Sequence, residues 1–168
     1  MKNLDYVMYT YKHRKIVIAL AEKYFKDNTE VLEKVKYHDL DKLFMYLFYD
    51  KKDASHIHRE LTSHHKNEIK KTELDYIEMV LDWESARYTK PDKPLNAYDT
   101  LVYYYPSMEN EIMPVLEMME IASSNLPMDE DILEYANSLN DITMENIIIE
   151  LKSCIELLTQ DKPVKLIK

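Results

Sequence analysis

The chain has 168 residues, with 22 Lys and Arg against 31 Asp and Glu, a net charge of -9; it lacks the basic face that duplex nucleic acid requires, which argues against that partner. Glycine is absent and Cys154 is the one cysteine, so Walker-type phosphate loops, GxGxxG dinucleotide turns and an internal disulfide are excluded. No apolar run reaches about 18 residues and the N-terminus lacks a signal-like apolar stretch, so the expectation is one cytoplasmic domain with no membrane segment.

Apolar Ile16, Val17, Leu20 and Phe25 recur at helical spacing and predict a first helix over about 5–25. A second is expected from Thr29, an acceptable N-cap, through Leu32 and Val35, with His38 and Asp39 at its end. Residues 40–49 are strongly apolar and predict a buried helix; KKDAS then reads as a loop in which Asp53 or Ser55 caps a polar helix carrying His58. Leu74, Ile77 and Leu81 predict a helix over 72–88, closed by the proline-rich TKPDKPLN, with Asp82 inside it. Further helices are expected around YDTLVYYY, over about 107–122 with Pro114 near the start or at a kink, over 129–139, and over 141–158. No alternating strand pattern of useful length occurs. The expected fold is therefore all-α, with residues 1–105 as the core, 106–160 as C-terminal helices packed on it, and 161–168 as a tail. The Ile-rich face of the last helix is either core or a homodimer surface.

All six histidines fall between positions 13 and 65 and, with two aspartates, five of them run His13, His38, Asp39, His58, His64, His65, Asp82. Imidazole suits iron, zinc and similar ions, and a carboxylate can bridge two of them, so the order fits a one- or two-metal hydrolytic site. His13 shares a helix face with Ile16, Val17 and Leu20 and should point inward. A lone inward histidine is by default bonded to a carbonyl; the adjacent pair His38 and Asp39 shifts the balance toward an ion. In one uninterrupted helix His65 keeps the phase of His58, whereas a break at Thr62 or Ser63 would let His64 turn inward and leave His65 behind it. Asp82 shares a stripe with Asp75, Glu78 and Ser85, which faces solvent by default but can equally line a metal cavity. Lys42, Arg14, Lys66 and Arg87 are candidates to hold a bound phosphate. His56 is left outside the site.

The progression H…HD…D resembles the HD superfamily of metal-dependent phosphohydrolases, and HDLDK at 38–42 matches its HDxxK form. The added histidines resemble the variant H…HD…H…H…D shared by HD-GYP phosphodiesterases and by di-iron oxygenases such as myo-inositol oxygenase. A nearer likeness is to a small bacterial and phage family with the patterns YxxHK/R, HDLSKF, HxxxNxHH and EMVxDW. These are matched by YKHRK at 11–15, HDLDKLF at 38–44, HRELTSHH at 58–65 and EMVLDWESARYT at 78–89. The match spans about residues 4–105. Asp41 departs from the usual serine, and no asparagine stands between His58 and the histidine pair. The HD-GYP signature itself has no counterpart.

The resemblance implies a compact HD-like bundle in which His13, His38, Asp39 and Asp82 hold one divalent ion (Fe, Mn, Zn, Co or Ni). Asp39 would then bridge to a second, held by His58 and one of His64 or His65. It also implies hydrolysis of a phosphomonoester or phosphodiester in a nucleotide or small phosphorylated metabolite. Water acidified at the metal would attack phosphorus, with Asp39, Lys42 and Asp82 in the catalytic machinery. The same ligands would serve a di-iron oxygenase on a small molecule. A non-catalytic nucleotide-binding protein is the third expectation.

Overall fold

The first expected helix is present as α1 (Leu4–Tyr24), and it is the spine of the molecule: α2, α3, α5 and α8 all pack on it. In the computed structural model, residues 3–65, 70–90, 92 and 95–160 are described, apart from the side chains of His64 and Gln160. The fold is all-α. After α1 come α2 (Thr29–Val35), α3 (Leu40–Phe48), α4 (Lys51–Leu61), a 3-10 turn at Ser63–His65, α5 (Glu73–Thr89) and α6 (Ala97–Tyr104). A 3-10 turn at Pro106–Met108 leads into α7 (Glu109–Met118), followed by α8 (Glu130–Ser138) and α9 (Met144–Gln160).

The helix starts follow side-chain capping, though not always by the expected residue. Asn28, not Thr29, caps α2 by accepting from the Val31 N–H. Asp50 caps α4 by accepting from Asp53, so KKDAS is the first turn of that helix and not a loop. In both cases the cap lies just before the first helical residue, where extended backbone leaves the side-chain oxygen facing the orphan N–H groups. Thr72 and Asp75 form a reciprocal capping box at the start of α5.

With no glycine in the chain, the left-handed turns fall on other residues: Asp39 (φ 51), Glu120 (φ 57) and Asn125 (φ 58). Glu120 closes α7 as glycine commonly does. The Ile121 N–H reaches the Leu116 carbonyl and the Glu120 N–H reaches that of Glu117, which satisfies two carbonyls the helix end would orphan.

Two apolar clusters share α1. The larger gathers Ile16, Val17 and Leu20 with Ile77, Val80 and Leu81 of α5, Leu101 of α6, Ile112 and Leu116 of α7, and Ile132 of α8. The smaller sets Val7 against Leu40, Leu43 and Tyr46 of α3, Ala54 of α4, and Ile147 and Cys154 of α9. Between them on α1 lie the buried polar residues Thr10, His13 and Arg14. The expectation of a buried 40–49 helix needs correction at its end: Leu47, Phe48 and Tyr49 are exposed, because only the Leu40, Leu43 and Tyr46 side of α3 meets the core. In α9, Ile147 is core while Ile148, Ile149, Ile155 and Leu158 face outward. The expected 161–168 tail lies outside the described residues. No helix among the described residues is long and apolar enough to cross a membrane.

Leu20, fully buried where α1 meets the larger cluster, should lose about 2–5 kcal/mol on replacement by Ala. Phe48, 80% exposed, should lose no more than about 0.5 kcal/mol. Urea unfolding of Leu20→Ala and Phe48→Ala measures the contrast, and equal losses would contradict this division of α1 and α3 into core and surface.

Candidate metal centre

Four separate elements each deliver a polar side chain to the seam between the two clusters. His13 comes from the middle of α1, and Asp82 from the middle of α5, which packs on it. His38 and Asp39 come from the turn between α2 and α3. Asp39 holds the left-handed conformation, an arrangement of the kind that costs about 1 kcal/mol or more and persists where surrounding contacts fix it. His58 comes from the last turns of α4. His13, His38, Asp39 and His58 are all at most 4% exposed.

The nitrogen and oxygen atoms converge. His13 Nε2 lies 3.2 Å from His38 Nε2, 3.0 Å from Asp82 Oδ1 and 3.6 Å from Asp39 Oδ2. His38 Nε2 lies 3.8 Å from Asp82 Oδ1 and 3.9 Å from Asp39 Oδ1. Donors about 2.0–2.2 Å from a common ion stand roughly 3–4.4 Å apart, so these separations fit the edges of one coordination shell. His13, His38 and Asp82 each offer an atom within 4.8 Å of the others and could hold a metal ion.

A second group adjoins the first through Asp39. His58 Nε2 is 3.1 Å from Asp39 Oδ1, a buried oxygen for which no well-aligned hydrogen bond is formed. A carboxylate oxygen buried in that way is costly unless something cationic meets it, which fits a ligand lone pair aimed at an ion. Asp41 lies close enough to complete a trio with Asp39 and His58. It meets His58 at Nδ1, 2.7 Å away, on the side of the ring away from Asp39, so it orients the imidazole. The His65 ring stands edge-on to that of His58, with centroids 5.0 Å apart.

The backs of the three imidazoles are all held. Ser85 Oγ donates to the Asp82 carbonyl at 2.8 Å and so is left to accept from His13 Nδ1 at 2.9 Å. Glu78 Oε1 accepts from His38 Nδ1 at 3.0 Å, and Asp41 does so from His58. Each Nδ1 therefore has an acceptor behind it, and each Nε2 is the nitrogen left facing the junction, the orientation that metal-binding histidines require. Lys34 lies 3.4 Å from Glu78 and 2.7 Å from Asp75, while Ser63 donates to Asp75 at 2.6 Å. The stripe Asp75, Glu78, Asp82, Ser85 is thus the inward ridge of α5, with Asp75, Glu78 and Ser85 buried.

The protons follow the same geometry. Burial alone would lower His38, but Asp39, Asp82 and Glu78 outweigh it and push the imidazole up to about 10. Burial would raise Asp39 and Asp82, yet the surrounding histidines, with Lys42 beside Asp39, hold both well below the usual carboxylate range. Burial would also lower His58, but Asp39 and Asp41 raise it.

The cluster opens into a cleft of about 200 Å³ lined by Tyr9, His13, Asp39, Lys42, Ser55, His58, Arg59, His65, Asp82 and Lys90. Lys42 reaches it and pairs with Asp39 at 2.8 Å. Two other expected phosphate partners do not reach it. Arg14 is buried, and its guanidinium donates to the backbone carbonyls of His38 and Lys36, so it braces the turn carrying His38 and Asp39. Arg87 pairs with Glu84 at 3.2 Å and donates to the Leu126 carbonyl at 2.6 Å, beside a separate cleft of about 590 Å³. Lys66 and the His64 side chain lie outside the described residues. α4 does end at Leu61, with extended backbone at Thr62, as the expected break requires. The 3-10 turn brings His65 to the cleft wall. His56 is on the surface, paired with Glu60.

Arg59, Lys90, Glu78 as the partner of His38 and Asp41 as the partner of His58 were not singled out from the sequence. A signal existed for Glu78, one helical turn before Asp82 on the same face.

In the metal-free protein the raised His38 contributes stability that is complete below pH 6.5, its ordinary value, and is lost as pH climbs toward 10. The depressed aspartates contribute stability that is complete above about pH 4 and is lost on acidification. Thermal melts should therefore show the metal-free protein most stable between about pH 4 and 6.5 and weakening from pH 7 to 9. His38→Gln should flatten the alkaline slope. A melting temperature that rises over pH 7 to 9 would contradict the charge arrangement.

Protein-family models, characterised proteins and solved structures were each searched and none matches this chain, so the cluster stands on its own geometry.

Proposed function

We propose that this protein is a metal-dependent phosphohydrolase of the HD type, acting on a small phosphorylated molecule. The observation that carries the reading is the convergence of three imidazoles, each held at Nδ1 from behind, on Asp39 and Asp82, with Lys42 at the mouth. His13, His38, Asp39 and Asp82 would hold one divalent ion; Asp39 and His58, with one of His64 or His65, would hold a second. Such ions supply Lewis acidity, which acidifies water and offsets charge gathering on a phosphoryl group.

The chain's own residues account for the rest of the chemistry. Ser85, Glu78 and Asp41 fix the orientation of three imidazoles, so the rings need no rotation when an ion enters and takes the place of a proton. Lys42 is charged at neutral pH: burial lowers it, but Asp39 and Asp82 raise it further. Its ammonium has three donors, so it can keep Asp39 and still meet a phosphoryl oxygen. In the reaction water adds to phosphorus and the bond from phosphorus to the leaving oxygen breaks. That oxygen takes a proton, and phosphate and an alcohol result.

Metal analysis of protein reconstituted with Mn, Fe, Co, Ni or Zn, followed by a phosphoester screen, tests the reading. Occupied sites with no turnover of any phosphoester would count against it, and iron-loaded protein with dioxygen-dependent turnover would instead favour the di-iron oxygenase reading.

Asp39→Asn and His38→Ala should each lower turnover by about a thousandfold or more, by removing charge or a ligand where the two groups meet. Glu78→Gln and Asp41→Asn should weaken metal affinity by about 10–100-fold, as read by chelator competition. Affinity should also rise with pH between 6 and 9, since the ion displaces the proton held at His38. A pH-independent affinity would speak against His38 as a ligand.

A further inference from the structure

The cleft above the His and Asp cluster is lined by three cationic side chains, and it is small. Asp39 and Asp82 contribute two negative charges to its lining; Lys42, Arg59 and Lys90 contribute three positive ones. Any divalent ion adds to the excess, on a chain whose net charge is -9. A cationic concavity on an acidic surface focuses anions into one place.

The three cations are not equivalent. Lys42 is already paired with Asp39 at 2.8 Å and sits over the ligands. Arg59 belongs to α4, directly after the ligand His58, and Lys90 follows the last turn of α5, two turns beyond Asp82. Among the described residues neither Arg59 nor Lys90 forms an ion pair with a carboxylate. The Lys90 ammonium lies over the Tyr9 ring, 5.2 Å from its centroid, and Tyr9 in turn stacks on the ligand His13. Two cations on different elements, both without a carboxylate partner among the described residues and both lining the cleft, are free to meet a second anionic group beside the phosphate position.

Size narrows the ligand further. About 200 Å³ is below the roughly 300–1,000 Å³ of pockets that enclose drug-sized ligands, and the Tyr9 ring on its wall is already engaged by His13 and Lys90. A nucleobase with ribose and phosphate would exceed that room and would find the Tyr9 face taken.

We infer that the substrate is a short phosphorylated acid, with its phosphoryl group at the metal cluster and Lys42 and its second anionic group at Arg59 and Lys90. The inference rests on the phosphohydrolase reading for the identity of the reacting group, and the binding measurement below is independent of turnover.

Calorimetry on the metal-loaded protein with three probes tests it: phosphoglycolate, which carries both anions; methyl phosphate, which carries one; and 5′-AMP. Phosphoglycolate should bind at least tenfold more tightly than either of the others. In Arg59→Gln and Lys90→Met, both at positions outside the apolar clusters, the ratio of phosphoglycolate to methyl phosphate affinity should fall to about two or less. Equal or tighter binding of 5′-AMP, or a ratio unchanged in both variants, would overturn the inference. Tight, charge-dependent binding of phosphoglycolate with no hydrolysis of any phosphoester would support the second anion locus while sinking the phosphohydrolase reading; hydrolysis of 5′-AMP in preference to phosphoglycolate would do the reverse.

Discussion

Two carboxylates, Asp39 and Asp82, are brought within reach of three imidazoles at the junction of two apolar clusters, and a cation must sit among them. Charge withdrawn from water costs several kcal/mol per ion unless it is matched. Without a metal the match is made by protons: His38 is driven to about 10 and both aspartates far down. The same site that demands a proton there would accept a divalent ion in its place, because the Nε2 and Oδ atoms already stand at the spacing of a coordination shell.

Much of the architecture serves that junction. α1 spans both clusters and carries His13 between Val7 on one side and Ile16 on the other. The turn bearing His38 and Asp39 is braced from below by the Arg14 guanidinium, which takes up the carbonyls of His38 and Lys36. The left-handed Asp39 both starts α3 and turns its carboxylate inward. Asp75 has three partners at once: it completes the cap of α5, pairs with Lys34 and accepts from Ser63. It thereby ties the 3-10 turn of His65 to the helix that carries Asp82.

The element pattern was legible because helical periodicity is local. Ile16, Val17 and Leu20, or Leu74, Ile77 and Leu81, announce a face whatever they later pack on. Caps were less legible, as Asn28 and Asp50 show. Several polar residues competed for each cap, and only the backbone angle chose between them. The clustered residues His13, His38, Asp39, His58 and Asp82 could be named from residue type and order, since imidazole and carboxylate are the side chains that hold metal ions. Phosphate partners could not. Arg14, Arg87, Arg59 and Lys90 look alike as letters, and helical phase turns the first two elsewhere.

The sequence by itself determined an all-helical chain, the absence of any glycine-built phosphate loop, and an ordered set of imidazoles and carboxylates of the types that can hold a metal ion. These follow from composition and from periodicities of a few residues. Only the tertiary structure decided that the stripe of Asp75, Glu78, Asp82 and Ser85 faces inward, that His65 stands beside His58 after a helix break, and that Arg59 and Lys90 share a cleft with Asp39. Those facts depend on how helices far apart in sequence pack, and a helix carries no local record of which of its polar faces another helix will cover.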